Sequence, residues 1–307
     1  MYDTCKAFLN TSETGRLETV LSDYQERVNP ETGDLWQSGR LENLRVRGSG
    51  TGITIEGSLP AYKWGSNAVS LTRQATEEVI EELSDRLHLP IAQAQVWRFD
   101  IANNFTMKRP AIDYLSCFMA APYYKRFDFA DRATVNFKNG LRELSFYDKA
   151  RELESKRKPI PDIFKGKNIL RFESRLLKRI GKQFNRRSVY AKDLSDEIFY
   201  MRAINDYWKE PYFLIKKIRK DMALNMKGQR EYLKSVAFYG LQNIGVDTAM
   251  DLIRGARLRG EIGDKTAQRL RKLTLEITQA GRGQINTPDD CINELDTKVR
   301  QAAAFYR

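Results

Sequence analysis

The chain has 307 residues, 52 Lys and Arg against 40 Asp and Glu, a formal net charge of +12 and one histidine, His88. With 41% hydrophobic residues it can build a sizeable core, so a disordered chain is excluded, and the length suits one large domain or two ordinary ones. A lone histidine excludes any site that needs two, zinc-protease and paired-histidine metal sites included, so any metal must be held mainly by carboxylates.

In chain order, the N-terminus lacks a basic region followed by a long apolar stretch, and no run of about 18 apolar residues occurs anywhere, which points to a soluble, cytoplasmic protein without a membrane segment. Cys5, Cys117 and Cys291 are odd in number and scattered, supporting neither a zinc knuckle nor a disulfide framework. Val46 and Ile53-Thr54-Ile55 read as strands joined by the turn-rich Arg47–Gly52 segment. Residues 71–88 read as an amphipathic helix through Ala75, Val79, Leu83 and Leu87, with a solvated acidic face, closed by Pro90. A strand follows through Val96–Ala102, then a helix near Ala111–Ala120. Strands Thr134–Phe137 and Leu141–Ala150 flank Asn139-Gly140, a strong hairpin signal. Ile169–Leu176 reads as a further strand that can run on into a helix. Beyond residue 190 the segments 192–206, 211–226, 229–242, 247–259 and 265–279 have helical character, with Asp247 and Asp264 as N-caps and Gly260, Gly263 and Gly281 as stops. The expected organisation is α+β: an antiparallel-sheet catalytic domain over 1–190, then a smaller all-helical domain over 191–307.

The charge is uneven. Residues 1–150 carry a net of −2, residues 151–190 a net of +9 and residues 191–307 a net of +5. A basic patch this concentrated attracts polyanions, with nucleic acid the first candidate and a merely solubilising surface the alternative. Tyr123-Tyr124-Lys125-Arg126 and Tyr212-Phe213 beside Lys216-Lys217 could stack on single-stranded bases, or be core aromatics with a basic rim. The helices of 229–279 could include a helix-turn-helix. His88 reads as a structural histidine.

Three strands each carry one chemical face, because residues i and i+2 point the same way. Arg98 and Asp100 oppose Trp97, Phe99 and Ile101. Arg171, Glu173 and Arg175 oppose Leu170, Phe172 and Leu176. Tyr147, Lys149 and Arg151 oppose Leu144 and Phe146. If the strands are neighbours, their polar face gathers two carboxylates able to hold Mg²⁺ or Mn²⁺, a tyrosine with a lysine two residues on, and arginines able to grip phosphates. Arg98, Arg151, Arg171 and Arg175 with Lys156-Arg157-Lys158 are the candidate DNA contacts. That set suits attack of Tyr147 on a phosphodiester. Ordinary ion pairs on a solvated sheet, with Tyr147 as a packing residue, produce the same alternation.

Met1-Tyr2-Asp3-Thr4, Ile55-Glu56-Gly57-Ser58-Leu59-Pro60, Gly65-Ser66-Asn67, Arg98-Phe99-Asp100, Phe146-Tyr147-Asp148-Lys149 with Glu152-Leu153-Glu154, and Leu170-Arg171-Phe172-Glu173-Ser174-Arg175 occur in this order over roughly residues 1–180. Together they resemble the rolling-circle replication initiators of filamentous phages and plasmids. The resemblance implies a nicking and joining enzyme. Tyr147 would link to a 5′-phosphate and leave a 3′-hydroxyl, Asp100 and Glu173 would hold the divalent metal, and Lys149 would activate the tyrosine or stabilise the pentacovalent charge. Glu56 is either a third ligand or an exposed edge-strand residue. Origin DNA, a host helicase and a polymerase are the implied partners, and a dimer is one way to supply a second nucleophile for resealing. The lysine expected directly after the Ser-Leu-Pro segment is displaced to Lys63. The alternatives are a relaxase-type nickase for plasmid or element transfer, and a non-catalytic DNA-binding replication regulator.

Overall fold

The structure is a computed structural model that describes residues 1–12, 17–128, 133–217, 228–282 and 291–306. The strands are β1 (Tyr2–Leu9), β2 (Ser22–Val28), β3 (Leu35–Leu41), β4 (Leu44–Ser49), β5 (Gly52–Ser58), β6 (Gln95–Met107), β7 (Phe118–Ala120), β8 (Lys125–Asp128), β9 (Thr134–Lys138), β10 (Arg142–Asp148), β11 (Asn168–Leu176) and β12 (Lys216–Lys217). Ten of them form one antiparallel sheet in the order β2-β3-β4-β5-β1-β6-β11-β10-β9-β8, while β7 and β12 pair separately. The α+β expectation is met by this sheet and the helices that follow it.

Two compact units are present: Met1–Ile218 with Ile292–Arg307, and Arg219–Cys291. The 190/191 position lies inside the first unit, which takes in the helical turns of 191–213 and the C-terminal helix Cys291–Phe305 from Ile292 onward. In that unit Tyr212 Oη donates to Asp296 Oδ1 at 2.6 Å, and Lys217 lies 3.7 Å over the Tyr212 ring. The second unit holds helices Gln229–Ile244, Val246–Leu258 and Asp264–Arg282, packed on one another.

One face of the sheet is the core. Phe146 stacks on Phe172 across β10 and β11 at 4.4 Å, and Phe172 stacks on Trp208 at 5.0 Å, all three fully buried. Strand alternation puts Phe146 and Phe172 inward and Ser145, Tyr147, Arg171 and Glu173 on the opposite face, and Trp208 comes onto the inward rings from the helical segment Asn205–Lys209. Tyr212 is fully buried in this cluster and so belongs to the aromatic core, whereas Tyr123 is fully solvent-facing.

Several local expectations are corrected. Trp97 does not share the face of Phe99 and Ile101. A bulge opposite Lys6 and Ala7 places two β6 residues where one would sit and turns Trp97 onto the other face, stacked on Phe8 at 4.8 Å. The helix near 111–120 stops at Leu115, and Phe118–Ala120 pairs as β7 because Phe118 is drawn wholly into the core. β10 ends at Asp148, whose carboxylate accepts the Arg151 N–H at 3.1 Å and caps a helix over Lys149–Ser155, so Lys149 and Arg151 are helical. β11 ends at Leu176 without becoming a helix. The 211–226 segment holds the end of a helix at Phe213 and then β12, and its residues 218–226 lie outside the described set. Gly245, not Asp247, caps Val246–Leu258. The helix read over 71–88 spans Arg73–Leu87, with Thr72 capping it and an exposed His88 ending it in the left-handed conformation. All three cysteines are buried, and none forms a disulfide among the described residues. Among the described residues no helix is long and apolar enough to cross a membrane.

Candidate functional site

β6, β11 and β10 are adjacent, and their register aligns the polar residues in rows. Tyr147 faces Arg171, which faces Asn104. Ser145 faces Glu173, which faces Ala102. Glu143 faces Arg175, which faces Asp100. The strand residues of the three chemical faces, Asp100, Arg171, Glu173, Arg175 and Tyr147, thus lie on one continuous face, while Lys149 and Arg151 leave it on the helix.

Glu173 is its centre. Its Oε1 accepts from Tyr147 Oη at 2.6 Å and from Arg171 Nε at 2.6 Å, and its Oε2 accepts from Arg175 Nε at 2.8 Å and Nη2 at 2.5 Å. Burial works to raise the Glu173 pKa, but Arg171 and Arg175 outweigh it and hold the carboxyl well below the usual range. Arg171, 1% exposed, also donates to Asp3 Oδ2 at 2.5 Å and Asn104 Oδ1 at 3.1 Å. Asp3 in turn accepts from Ser58 Oγ at 2.6 Å. Arg175 reaches on to Glu143 at 3.0 Å, and Lys138 lies 3.2 Å from the same carboxylate.

Tyr147 is 8% exposed. Burial pushes its phenol well above the ordinary value, against the pull of Arg171 and with the help of Glu173. The helix Lys149–Ser155 follows Tyr147, and its Leu153 packs on Ile169 and Phe164, with Ala68 and Ile160 at the margin. Lys149 is buried beneath the tyrosine. Its Nζ is 6.0 Å from the ring centroid and 2.9 Å from Glu152 Oε2, and burial, then the Arg171 charge, lowers its pKa. Lys156 also pairs with Glu152, and Arg157 and Lys158 follow at the exposed end of this helix, where cations complement the helix dipole. Arg151 is exposed on the same helix.

Asp100 is nearly fully buried and is gripped by Arg98 through two bonds of 3.0 and 2.6 Å. Burial pushes its pKa up to about 6 despite that partner. Glu56 is not on an edge strand, since β5 pairs with both β4 and β1, and its carboxylate lies 3.4 Å from Lys6 Nζ.

Fit to a divalent ion is decided by the lone pairs left over. An ionised carboxylate has about four acceptor positions, and Glu173 uses four on a phenol and two guanidiniums. Among the described residues no three His, Cys, Asp or Glu gather around a point that an ion could occupy. As arranged, Asp100, Glu173 and Glu56 do not form an open ligand set, and an ion reaching Glu173 must first displace the phenol or an arginine.

Asp3, Ser58, Asn104 and Glu143 complete the network without having been singled out as site residues. Asp3 and Ser58 sit inside the segments that carried the family resemblance. Asn104 lies on the same face as Asp100, four residues along β6, and Glu143 four residues before Tyr147 on β10, so extending the i, i+2 count in either direction finds both.

A family model for the N-terminal part of a phage replication-associated protein matches residues 1–199. A search of curated proteins found no match. The matched span contains the whole ten-stranded sheet and every residue of the network above, and the chain belongs to this family of filamentous-phage replication initiators.

Proposed function

We propose that this replication initiator nicks and rejoins one strand of origin DNA through Tyr147. The observation that carries the reading is the 2.6 Å bond from Tyr147 Oη to Glu173 Oε1, on a sheet face that also carries Arg171 and Arg175, side chains of a type that can grip phosphates bidentately. Oη attacks the phosphorus, the phenolic proton passes to Glu173, the bond to the 3′-oxygen breaks, that oxygen takes a proton from water and leaves as the 3′-hydroxyl, and the 5′-phosphate stays on the tyrosine.

At rest the transfer is uphill, because the phenol is held high and the carboxyl low. A DNA phosphate entering the site competes for the guanidinium of Arg175, the more exposed of the two arginines, at 26%. Drawing Arg175 away removes one of the cations that depress Glu173 and makes it a better proton acceptor. Arg171 and the ammonium of Lys149 then face the charge that develops on the phosphorane. Asp100 holds Arg98, and the exposed run Lys156-Arg157-Lys158 with Arg151 extends the cationic surface beside the tyrosine. Mg²⁺ or Mn²⁺ would contribute Lewis-acid charge stabilisation where it displaced arginine from these carboxylates, and no step here depends on it. A host helicase and polymerase would take up the opened strand, and a second subunit is one source of the resealing nucleophile.

The test is incubation of the full chain with a supercoiled origin plasmid, with and without Mg²⁺ or Mn²⁺. Protein attached to the 5′ end, absent with Tyr147→Phe, supports the reading. Full nicking by Tyr147→Phe removes Tyr147 from its role, and unchanged metal dependence in Asp100→Ala and Glu173→Ala removes these carboxylates from metal binding. A non-catalytic regulator is the second reading, favoured by the burial of Tyr147, and origin binding without any covalent adduct would establish it.

A further inference from the structure

We infer that the half of the sheet remote from Tyr147 carries a base-stacking site for single-stranded DNA, built on Phe8 and Trp97. This deepens the nicking reading and rests on it for the identity of the strand. The observation is the β6 bulge. Without it Trp97 would alternate into the core with Phe99. With it the indole leaves the core face, remains 42% exposed, and lies parallel to the Phe8 ring at 4.8 Å with 16° between planes. Phe8 is itself fixed from behind. A Cβ on Gly52 would meet its Cζ at 2.8 Å, so the bare glycine backbone of β5 is what admits the ring. An exposed indole held flat and backed by a second ring offers one free π-face, and every nucleobase can stack on such a face.

The surroundings identify the occupant by charge. The face shared by β3, β4, β5, β1 and β6 is the one that continues to Asp100 and Glu173. On it Arg40 faces Arg45, which faces Glu56, which faces Lys6, which faces Arg98. The next row places Arg47 opposite Thr54 and Thr54 opposite Phe8. Glu56 is the single acid of these rows. Arg45 and Arg47 are exposed and make no ion pair among the described residues. Basic side chains interleaved with a stacking platform suit a polyanion whose bases are unpaired. A duplex keeps its bases stacked on each other and shows a groove reader only their edges. Trp97 lies seven residues along β6 from Asn104, in the Tyr147 row, or about 23 Å at the usual strand rise. One strand a few nucleotides long can therefore run from the platform to the tyrosine along a single face.

The experiment measures binding of the full chain to a fluorescein-labelled 25-nucleotide single strand and to the same sequence as duplex, by anisotropy over a salt series, on wild type, Trp97→Ala, Trp97→Phe and Arg45→Gln/Arg47→Gln. The expected result for Trp97→Ala is single-strand affinity weaker by roughly 5- to 150-fold, with duplex affinity within about twofold. Trp97→Phe keeps a ring and recovers most of the loss. The double arginine variant lowers the salt slope for single strand by about 1.4, two phosphates' worth. Single-strand affinity unchanged in Trp97→Ala, or equal losses on both DNAs, overturns the proposal, as does a Trp97→Phe variant as weak as Trp97→Ala. The two readings fail separately. Normal binding by Trp97→Ala beside a Tyr147-dependent adduct sinks the platform and leaves nicking intact. Selective loss in Trp97→Ala with no adduct from wild type leaves a binding site and removes the nuclease.

Discussion

The bond between Tyr147 and Glu173 can be weighed by a double-mutant cycle with Tyr147→Phe, Glu173→Gln and the pair. Glu173→Gln removes a charge that neutralises Arg171, a guanidinium 1% exposed that is left with Asp3 as its one anionic partner. Breaking a buried pair of this kind costs about 3–5 kcal/mol. Tyr147→Phe leaves Glu173 its three guanidinium bonds and costs the one phenolic hydrogen bond. A hydrogen bond to a charged acceptor contributes about 1.5–3 kcal/mol, and that is the expected coupling in the cycle. Urea unfolding at pH 7 reads it through the fluorescence of Trp208, which is fully buried and stacked on Phe172 in the sheet core. Coupling below about 0.5 kcal/mol, the range of additivity for sites that do not interact, refutes the contact. The pH dependence supplies an internal control. Because the folded pKa of Glu173 is depressed, its stabilisation is complete above the unfolded value of about 4.3 and is lost as pH falls through the folded value. The gap between wild type and Glu173→Gln therefore stays constant at neutral pH and narrows below about pH 4.3.

Asp100 behaves with the opposite sign. Its folded pKa of about 6 exceeds the unfolded value, so the folded state holds its proton where the unfolded state has released it, and wild type loses stability relative to Asp100→Asn as pH rises from about 4 to 6. The change is about 2–3 kcal/mol, and a flat difference across that window refutes the burial argument. Asp148→Ala removes the cap of the helix that follows Tyr147 and lowers stability by about 0.5–2 kcal/mol in the same urea assay. Phe172→Ala, which empties the space between Phe146 and Trp208, costs about 3–5 kcal/mol, and a loss under about 1 kcal/mol would show that this stack is not the core.

Much of the sheet is legible because its interior strands alternate large apolar residues with charged ones. Ile169–Leu176 and the Asn139-Gly140 hairpin are of this kind, and so are the partners that bring Tyr147 to Glu173. β1 hides because its inward residues Cys5 and Ala7 are small and a register shift between Tyr2 and Cys5 interrupts the period. β2 hides because Ser-Asp-Tyr-Gln-Glu-Arg-Val has no apolar face at all, being an edge strand exposed along its length. The displacement of Trp97 follows from a bulge, which one strand's sequence does not reveal without its neighbour. The arginine saturation of Glu173 lies beyond the pattern for a related reason. Strand alternation tells which groups share a face, and the direction of each guanidinium is set by the carboxylates it meets, Glu173 within β11 and Asp3 and Glu143 on other strands.

The place of β1 bears on how the molecule is made. The earliest of the ten strands in chain order lies near the middle of the sheet, between β5 and β6, and the tyrosine rows require β6, β10 and β11 together. Its second neighbour is complete only at Met107 and the Glu173 strand only at Leu176. Until then a growing chain presents an unsatisfied strand edge at β6, and pairings of such long range form slowly. A chain interrupted between those two points has β1 to β6, and with them Phe8 and Trp97, but lacks the complete strand that carries Glu173, the partner of Tyr147. On the ribosome the face that carries Phe8 and Trp97 is therefore complete before the surroundings of Tyr147, and β11, the last of the ten strands in the chain, is the one that brings the acid against the tyrosine.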